Sequence, residues 1–103
     1  MPLYSKVLAE GTLSTEASLY SPGASVHGTN LTLIFHNTGA SSRIITTKIT
    51  KSGGTARIFD YCTLTQNQMR EITGIHLGPS DDLRALQDSG TDVTFLVLGG
   101  TDA

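Results

Sequence analysis

Turn signals recur along the whole chain, and the short segments between them restrict its fold more than any other feature. These segments are rich in Thr, Ile, Val, Leu and aromatic residues. Strand-length segments separated by turn residues at intervals of about 8–12 residues are typical of a β-sandwich or barrel. The signals are Ser21-Pro22-Gly23, Asn37-Thr38-Gly39, Ser52-Gly53-Gly54, Gly78-Pro79-Ser80, Ser89-Gly90 and Gly99-Gly100.

The segments predict an antiparallel β-sandwich that is jelly-roll-like and has about eight short strands. We divide the chain into residues 1–16 (N-terminal arm and first strand), 17–98 (β-sandwich) and 99–103 (flexible tail). The predicted strands are Ser5–Glu10, Ala17–Ser21, Asn30–His36, Arg43–Lys51, Ala56–Leu64, Gln68–His76, Asp82–Gln87 and Val93–Leu98.

Alternation along three of these strands indicates which side chains form the core, because successive strand residues point to opposite faces. In the last strand, Leu96 and Leu98 make the second face apolar as well. Such a strand is either central in its sheet or covered by a partner. The expected core positions are Leu31, Leu33, Phe35, Ile45, Thr47, Ile49, Val93, Phe95 and Val97.

Two segments also have features of a short helix. Thr65 to Gln68 has the spacing of a capping box and precedes Met69 to Ile72. Ser80-Asp81-Asp82 is followed by good helix formers and then by Gly90, which is typical of a helix start and stop. A helix this short would be marginal without packing. We favour strands at both places and leave one short helix open, above all at residues 81–88.

Length and charge exclude several classes of protein. The chain has 103 residues, which suffices for one domain. Only 16% of the residues are charged, so much of the surface must be Ser, Thr, Gly and Asn, which suits contact with other proteins. The net charge is −2 and no Lys/Arg cluster occurs, so the chain lacks the attraction for phosphates that nucleic-acid binding requires. We expect no nucleic-acid partner.

Membrane insertion and secretion are not expected either. The longest apolar runs lie at residues 31–35 and 95–98 and are far shorter than a membrane span. Residues 1–10 do not show the basic and apolar regions of a signal peptide. Cys62 is the single cysteine, so the chain cannot form an internal disulfide. We expect synthesis in a reducing cytosol.

The candidate metal ligands are three histidines and the cysteine. His27, His36, His76 and Cys62 could supply four ligands, but their separations match no usual zinc spacing. We therefore expect surface or rim histidines, one buried thiol, and no metal or other cofactor.

Catalytic arrangements are absent from the sequence. Asp81 and Asp82 are adjacent, so on a strand they would point to opposite faces. We expect them to bond to backbone N–H groups in a turn. The sequence contains no Gly-x-Ser-x-Gly elbow and no phosphate-binding glycine pattern, and Gly53-Gly54 is explained by a hairpin. We predict that the protein is not an enzyme.

Aromatic residues leave one alternative of another class, a carbohydrate-binding module. The chain has no Trp, 3 Tyr and 3 Phe. Phe35 and Phe95 fall on the expected core faces. Phe59 and Tyr61 share one face of their strand, which can equally be the core face, and Tyr20 is the remaining candidate for an exposed ring. Sugar binding therefore stays a minority hypothesis.

From residue 19 onward, strands and turns follow one another in a definite order. The features are Leu19-Tyr20-Ser21-Pro22, the strand through Asn37-Thr38, residues 44–49, Ser52-Gly53-Gly54-Thr55, the Leu64-containing strand, Leu77 to Leu83, and Val93 to Leu98 with Gly99-Gly100. This order resembles that of small β-sandwich structural proteins of tailed bacteriophages. In those proteins a Leu-Tyr-x-Pro opening precedes a strand that ends in Asn-Thr, a Gly-Gly-Thr hairpin and a Gly-Asp-type turn into the last strands. This chain departs from the pattern at the last turn, which is extended by Pro79-Ser80.

This resemblance implies a structural role in a virion. The leading hypothesis is a capsid decoration (cement) subunit that binds the major capsid protein, stabilises the shell and forms a homo-oligomer, with a trimer favoured. Tail, connector or baseplate proteins are the alternative. We expect the apolar N-terminal segment to make protein contacts through Pro2, Leu3, Tyr4, Val7 and Leu8, by adding a strand to the sheet edge of a neighbour.

Overall fold

The computed structural model describes residues 6–13, 17–22, 28–51 and 53–102. Its described residues form eight strands and no helix, which confirms the predicted all-β fold. The strands are β1 (Lys6–Thr12), β2 (Ala17–Tyr20), β3 (Gly28–Asn37), β4 (Arg43–Thr50), β5 (Ala56–Leu64), β6 (Met69–Leu77), β7 (Asp82–Gln87) and β8 (Val93–Asp102).

The strands form two four-stranded sheets, in the orders β1-β8-β3-β6 and β2-β7-β4-β5. Every pair is antiparallel. Among the strands of the described residues, only the β4–β5 pair joins strands that are consecutive in the chain, so the fold depends on contacts that are distant in sequence. Eight strands wound in this order across two facing sheets form a jelly roll.

The core lies between the two sheets and is built by the predicted alternation. Leu33, Phe35, Val93 and Val97 are each 0% exposed, whereas Phe95 is partly buried against the core. The opposite sheet contributes the same pattern from β4 and β7. The buried apolar residues are Leu13, Leu19, Leu31, Leu33, Phe35, Ile45, Leu64, Ile75, Leu77, Leu83, Ala85, Val93 and Val97.

Both segments with helical features adopt other structures. Residues 82–87 form β7, because Leu83, Ala85 and Gln87 alternate into the core. The capping-box spacing at 65–68 forms a tight turn: the Thr65 N–H donates to Gln68 Oε1 at 2.9 Å, and the Gln68 N–H donates to the Thr65 carbonyl oxygen at 3.1 Å. These hydrogen bonds therefore belong to a tight turn that links β5 of one sheet to β6 of the other, and not to a helix start.

The last strand extends beyond its predicted end at Leu98. Residues 99–102, which the sequence suggested as part of a flexible tail, pair with β3 as far as Gly28. Gly99 lies where the two strands approach closely, and a Cβ there would collide with the carbonyl oxygen of Asn30. The glycine pair thus permits close strand packing and does not form a turn. The division of the chain into arm, sandwich and tail stays a prediction.

Edge strands and central strands differ in regularity. Each edge strand carries one more residue than its partner at one point: Leu8 in β1, Leu19 in β2, Phe59 in β5, and the pair Thr73-Gly74 opposite a single residue in β6. The central pairs β3–β8 and β4–β7 contain no such shift. Bulges at an edge twist it away and hinder the addition of another strand.

Candidate protein-contact surfaces

The outer face of the β1-β8-β3-β6 sheet has an apolar centre. Ile34 on β3 and Leu96 on β8 lie opposite each other and point outward, because their neighbours along each strand fill the core. Leu98 continues the same face, and Val7 lies opposite it with 54% of its surface exposed. β8 is therefore central in its sheet and also presents apolar residues on the face away from the core.

A groove of about 600 Å³ crosses this face from β1 to β6. The ring of Phe95 lies next to Gly11, and a Cβ on residue 11 would stand 3.2 Å from this ring. A larger residue at position 11 would therefore crowd Phe95 and narrow the groove at β1. We call this surface the apolar groove. Its lining residues are Glu10, Gly11, Thr12, Ile34, His36, Met69, Thr94, Phe95 and Leu96.

Carboxylates stand at both sides of the apolar groove. Glu10 lies opposite Leu96, and Glu71 lies opposite Ile34, so one row across the sheet reads Glu10, Leu96, Ile34, Glu71. Three strand spacings separate the two glutamates, or about 14 Å. Both are exposed, and neither has a hydrogen-bond or ion-pair partner among the residues that the structure describes. The groove is thus apolar in the middle and acidic at its sides.

A second exposed apolar surface lies on the edge strand β5. Ile58, Phe59 and Tyr61 are 61%, 39% and 64% exposed. Arg57 precedes them and is also exposed, but it lies opposite Ile49, which packs against the core, and so it faces the other side of β5 from Ile58. We call Ile58, Phe59 and Tyr61 the β5 patch. Phe59 and Tyr61 are therefore surface residues, which removes the expectation that they could equally face the core.

The bulge and an ion pair explain why the β5 aromatics point outward. Asp60 lies opposite the buried Thr47, so the carboxylate faces inward at the rim of the sandwich. It accepts hydrogen bonds from Arg70 on β6, at 3.0 Å from Nε to Oδ2 and 2.5 Å from Nη2 to Oδ1. This two-point contact joins the edges of the two sheets, and the hydrogen bond raises the pKa of Arg70.

The single cysteine lies beside this ion pair. Burial raises the pKa of the Cys62 thiol, and the Asp60 carboxylate adds to the shift. A thiol with a raised pKa stays protonated at neutral pH and is a poor nucleophile. Cys62 is half-buried and packs against the core, so the expectation of a buried thiol is met in part.

The predicted contact residues fall partly within the described chain. Pro2, Leu3 and Tyr4 lie outside the described residues. Val7 is exposed on the outer face of its sheet, whereas Leu8 is the bulge residue of β1 and packs against the core. Their role in protein contact stays a prediction. Beyond the apolar second face of β8, no pattern in the sequence indicates the apolar groove.

The histidines are dispersed. His27 lies outside the described residues. His36 lines the apolar groove, and His76 lies further along the same sheet with Nδ1 at 2.8 Å from Asn30 Oδ1. Cys62 belongs to the opposite sheet. Within the described ranges, no three His, Cys, Asp or Glu residues lie close enough together to hold a metal ion.

The expected bond to a backbone N–H group forms at Asp81, whereas the neighbouring Asp82 contacts side chains. Asp81 is 5% exposed, and its Oδ2 accepts hydrogen bonds from the Gly78 N–H and from Lys51 Nζ, both at 2.9 Å. Asp82 forms an ion pair with Arg84 at 2.8 Å and accepts a hydrogen bond from Ser18 Oγ. Both therefore stabilise the turn into β7 and its outer face.

In the described part of the chain, no helix could span a membrane.

Comparison with known proteins identifies a fold but no family. The chain matches no protein-family profile and no curated protein sequence. It is similar in structure to a chain of the T13 viral particle of infectious bursal disease virus (TM-score 0.58, 12% identity), covering 98% of this chain and 31% of that one. The match therefore corresponds to about a third of the viral chain.

Two other similar structures match over nearly their whole length. A chain of Bacillus endospore appendages, which are disulfide-linked pili, gives a TM-score of 0.60 at 12% identity and covers 98% of this chain and 89% of that one. The protein PirA gives 0.57 at 12% identity and covers 94% and 93%. At this identity the likeness shows the fold alone: the protein is a small jelly-roll β-sandwich of a kind that also occurs in a viral particle and in a pilus.

Proposed function

We propose that the protein is a structural subunit of a virus particle, and that within this class it is a capsid decoration (cement) protein of a tailed bacteriophage. It acts by binding other proteins and not by catalysis. The observation that carries the proposal is the apolar outer face of the β1-β8-β3-β6 sheet, where Ile34, Leu96 and Leu98 point away from the core. A central apolar surface with a polar rim is typical of protein interfaces.

Two further observations support this role. The strand order is that of a jelly roll, the architecture of many capsid domains, and the chain resembles the infectious bursal disease virus structure in fold. The feature order from Leu19 to Gly100 resembles that of phage virion proteins. A subunit that binds only the assembled shell stabilises it by mass action.

Binding to capsids tests the proposal. Purified protein is mixed with expanded empty capsids of the phage that encodes it, and separately with its tails, and each mixture is sedimented. The cement role predicts a fixed number of copies for each capsid and no binding to tails. Binding to tails alone would reject the cement role and favour a tail, connector or baseplate protein. Binding to neither would reject the virion role.

Substitutions in the N-terminal segment test the proposed contact arm. We expect a variant with Leu3→Asp, Tyr4→Ser and Val7→Asp to lose most of its capsid binding, because apolar anchors contribute most of the affinity of an interface. The control is Ala40→Asp, which changes charge at an exposed position in the β3–β4 loop. Capsid binding that survives the triple substitution would place the contact elsewhere on the subunit.

Carbohydrate binding is the second candidate, since Phe59 and Tyr61 are both exposed on β5. A sugar ring stacks on an open aromatic face. Two rings on one edge strand form only a small surface for such stacking. A glycan array without hits would dismiss this function. A hit that is lost in Tyr61→Ser would favour it over the virion role.

A further inference from the structure

We propose that the apolar groove binds an extended segment of another virion protein, in which two basic residues stand four positions apart with an apolar residue midway between them. This inference rests on the proposed function, because it names the chemistry of the segment that such a subunit would bind. The observation that carries it is the row of outward side chains along one side of the groove, which reads Glu10, Leu96, Ile34, Glu71.

The groove runs across the strands and is narrow. It lies between this row and a second row of outward side chains, which consists of Thr12, Thr94, His36 and Met69. Successive outward positions on a strand are about 7 Å apart, so the groove has room for one extended chain. A helix with its side chains is about 10–12 Å wide and would extend beyond both rows. Strands that cross a sheet at nearly a right angle also occur in orthogonally packed sheets.

The length of the row determines the spacing of the charges in the partner. Three strand spacings, or about 14 Å, separate the two glutamates, and four residues of an extended segment span about 13 Å. The first, third and fifth side chains of such a segment point to the same face. When the outer two lie beside the carboxylates, the middle one lies between Leu96 and Ile34, which are half-buried. A basic-x-apolar-x-basic segment therefore matches the row at all three positions.

The charge of the groove selects a basic partner. Glu10 and Glu71 are exposed, and neither has a partner among the residues that the structure describes. In the described part of the sheet, the rows on either side of them contain no lysine or arginine. Complementary charges at the rim of an interface set its specificity and its rate of association. The same carboxylates repel the phosphates of a nucleic acid or a lipid.

A second copy of this chain does not fit the groove in this way. The sequence contains 7 Lys and Arg residues, and no two of them are four positions apart. No single strand of a second copy can therefore place one cation beside each glutamate. The partner is accordingly a different protein, which under the proposed function is the major capsid protein.

Peptide binding to the full chain tests the proposal. The probe is the blocked peptide GSKTLTKSG. The control peptide GSTKLKTSG has the same composition and charge, but its lysines are two positions apart. In isoleucine methyl NMR titrations, we expect the probe to bind with a Kd of about 1 mM or below, and the control at least about fivefold more weakly. The probe should shift the signal of Ile34 in the groove, and not those of Ile45 in the core or Ile58 on the other sheet.

Charge variants connect this binding to the two glutamates. We expect Glu10→Gln/Glu71→Gln to lower the affinity for the probe at least about fivefold, because both ion pairs are lost. The matched control Ala40→Lys/Ser42→Lys raises the net charge by the same amount at exposed positions of the β3–β4 loop. Its affinity should stay within about twofold of the wild type, because salt screens distant charges. Circular dichroism establishes that each variant is folded.

Several outcomes would overturn the proposal. They are a wild type that does not bind the probe, equal affinity for the two peptides, and normal binding by the folded Glu10→Gln/Glu71→Gln variant. A probe that shifts Ile58 and leaves Ile34 unchanged would also overturn it. Sedimentation velocity provides a further check. Self-association of the wild type that is lost in the glutamine variant would show that the groove accepts a second copy, contrary to the proposal.

Capsid sedimentation separates this inference from the proposed function. If the probe binds as expected but the protein binds neither capsids nor tails, the virion role fails while the chemistry of the partner segment stands. If capsids bind the wild type and the folded Glu10→Gln/Glu71→Gln variant equally well, the virion role stands and this inference is refuted.

Discussion

The central strands and the edge strands of this sandwich differ in both regularity and surface. β3 and β8 pair without interruption from Gly28 to Asn37, and their inward residues form the centre of the core. Each edge strand is broken by a bulge, and β5 exposes large apolar side chains. The central strands thus provide the core with one face and the centre of the apolar groove with the other, whereas the edge strand β5 exposes apolar side chains beside an irregular edge.

Central and edge strands should differ most in how much a truncated side chain lowers the free energy of unfolding. Phe35 is fully buried on β3. We expect Phe35→Ala to lower the free energy of unfolding by about 3–5 kcal/mol, because the cavity adds to the lost burial. The matched edge substitution Tyr61→Ala should change it by no more than about 0.5 kcal/mol. Urea unfolding of both variants measures the difference, and equal losses would contradict the assignment of stability to the centre.

A buried amide at the end of β3 should give the next largest effect. Asn37 Nδ2 donates to the carbonyl oxygens of Ser41 and Leu64 at 2.8 and 3.0 Å, and Oδ1 accepts from the Gly39 N–H at 3.0 Å. Asn37→Ala leaves buried groups unpaired, and we expect a loss of about 2–3 kcal/mol in urea unfolding. Ser42→Ala, at an exposed neighbouring position, is the control. A loss below 1 kcal/mol would show that water replaces the amide.

Removal of an edge bulge should affect association more than stability. Deletion of Phe59 leaves Ile58 and Asp60 opposite Lys48 and Thr47, so the remaining side chains keep their faces and β5 becomes a regular edge. A regular edge favours strand addition, and we expect faster aggregation by light scattering, with unfolding free energy changed by about 1 kcal/mol or less. Phe59→Ala keeps the bulge and should not aggregate. Equal aggregation of both would mean that the bulge does not protect β5.

The smallest expected effect is a pH dependence at Cys62. Burial raises the pKa of this thiol above its ordinary value of 9.0, and Asp60 adds to the shift. The folded state therefore favours the protonated thiol. Its contribution to stability is complete below about pH 9 and is lost as the pH rises through the folded-state pKa. Unfolding at pH 7 and pH 10 should differ more for the wild type than for Cys62→Ser. Identical differences would show that the thiol is not perturbed.

The sequence predicted the strands better than the surfaces, for a physical reason. Residues 56–64 and 82–87 were assigned with their observed bounds, because alternation and turn residues are local signals. The outward position of Phe59 and Tyr61 depends on a bulge and on Asp60 reaching Arg70 of another strand, and these are not local. Gly99-Gly100 resembled a turn because the sequence does not show how closely β3 and β8 approach.

The candidate surfaces were predictable only in part. The apolar second face of β8 indicated a central strand or a covered one, and the structure shows that β8 is central while Leu96 and Leu98 still point outward. The apolar groove needs four strands placed side by side, and no two of these four strands are consecutive in the chain. The alternation of apolar residues along a strand shows which side chains are buried, but it does not show which strands pair with each other.

One measurement tests the central claim that the protein makes its contacts through the apolar outer face of the β1-β8-β3-β6 sheet. Capsid sedimentation compares the wild type with Ile34→Asp on this face and with Ala40→Asp in the exposed β3–β4 loop. The account predicts that folded Ile34→Asp loses most of its capsid binding, whereas Ala40→Asp binds like the wild type. A folded Ile34→Asp variant that binds capsids normally would contradict it.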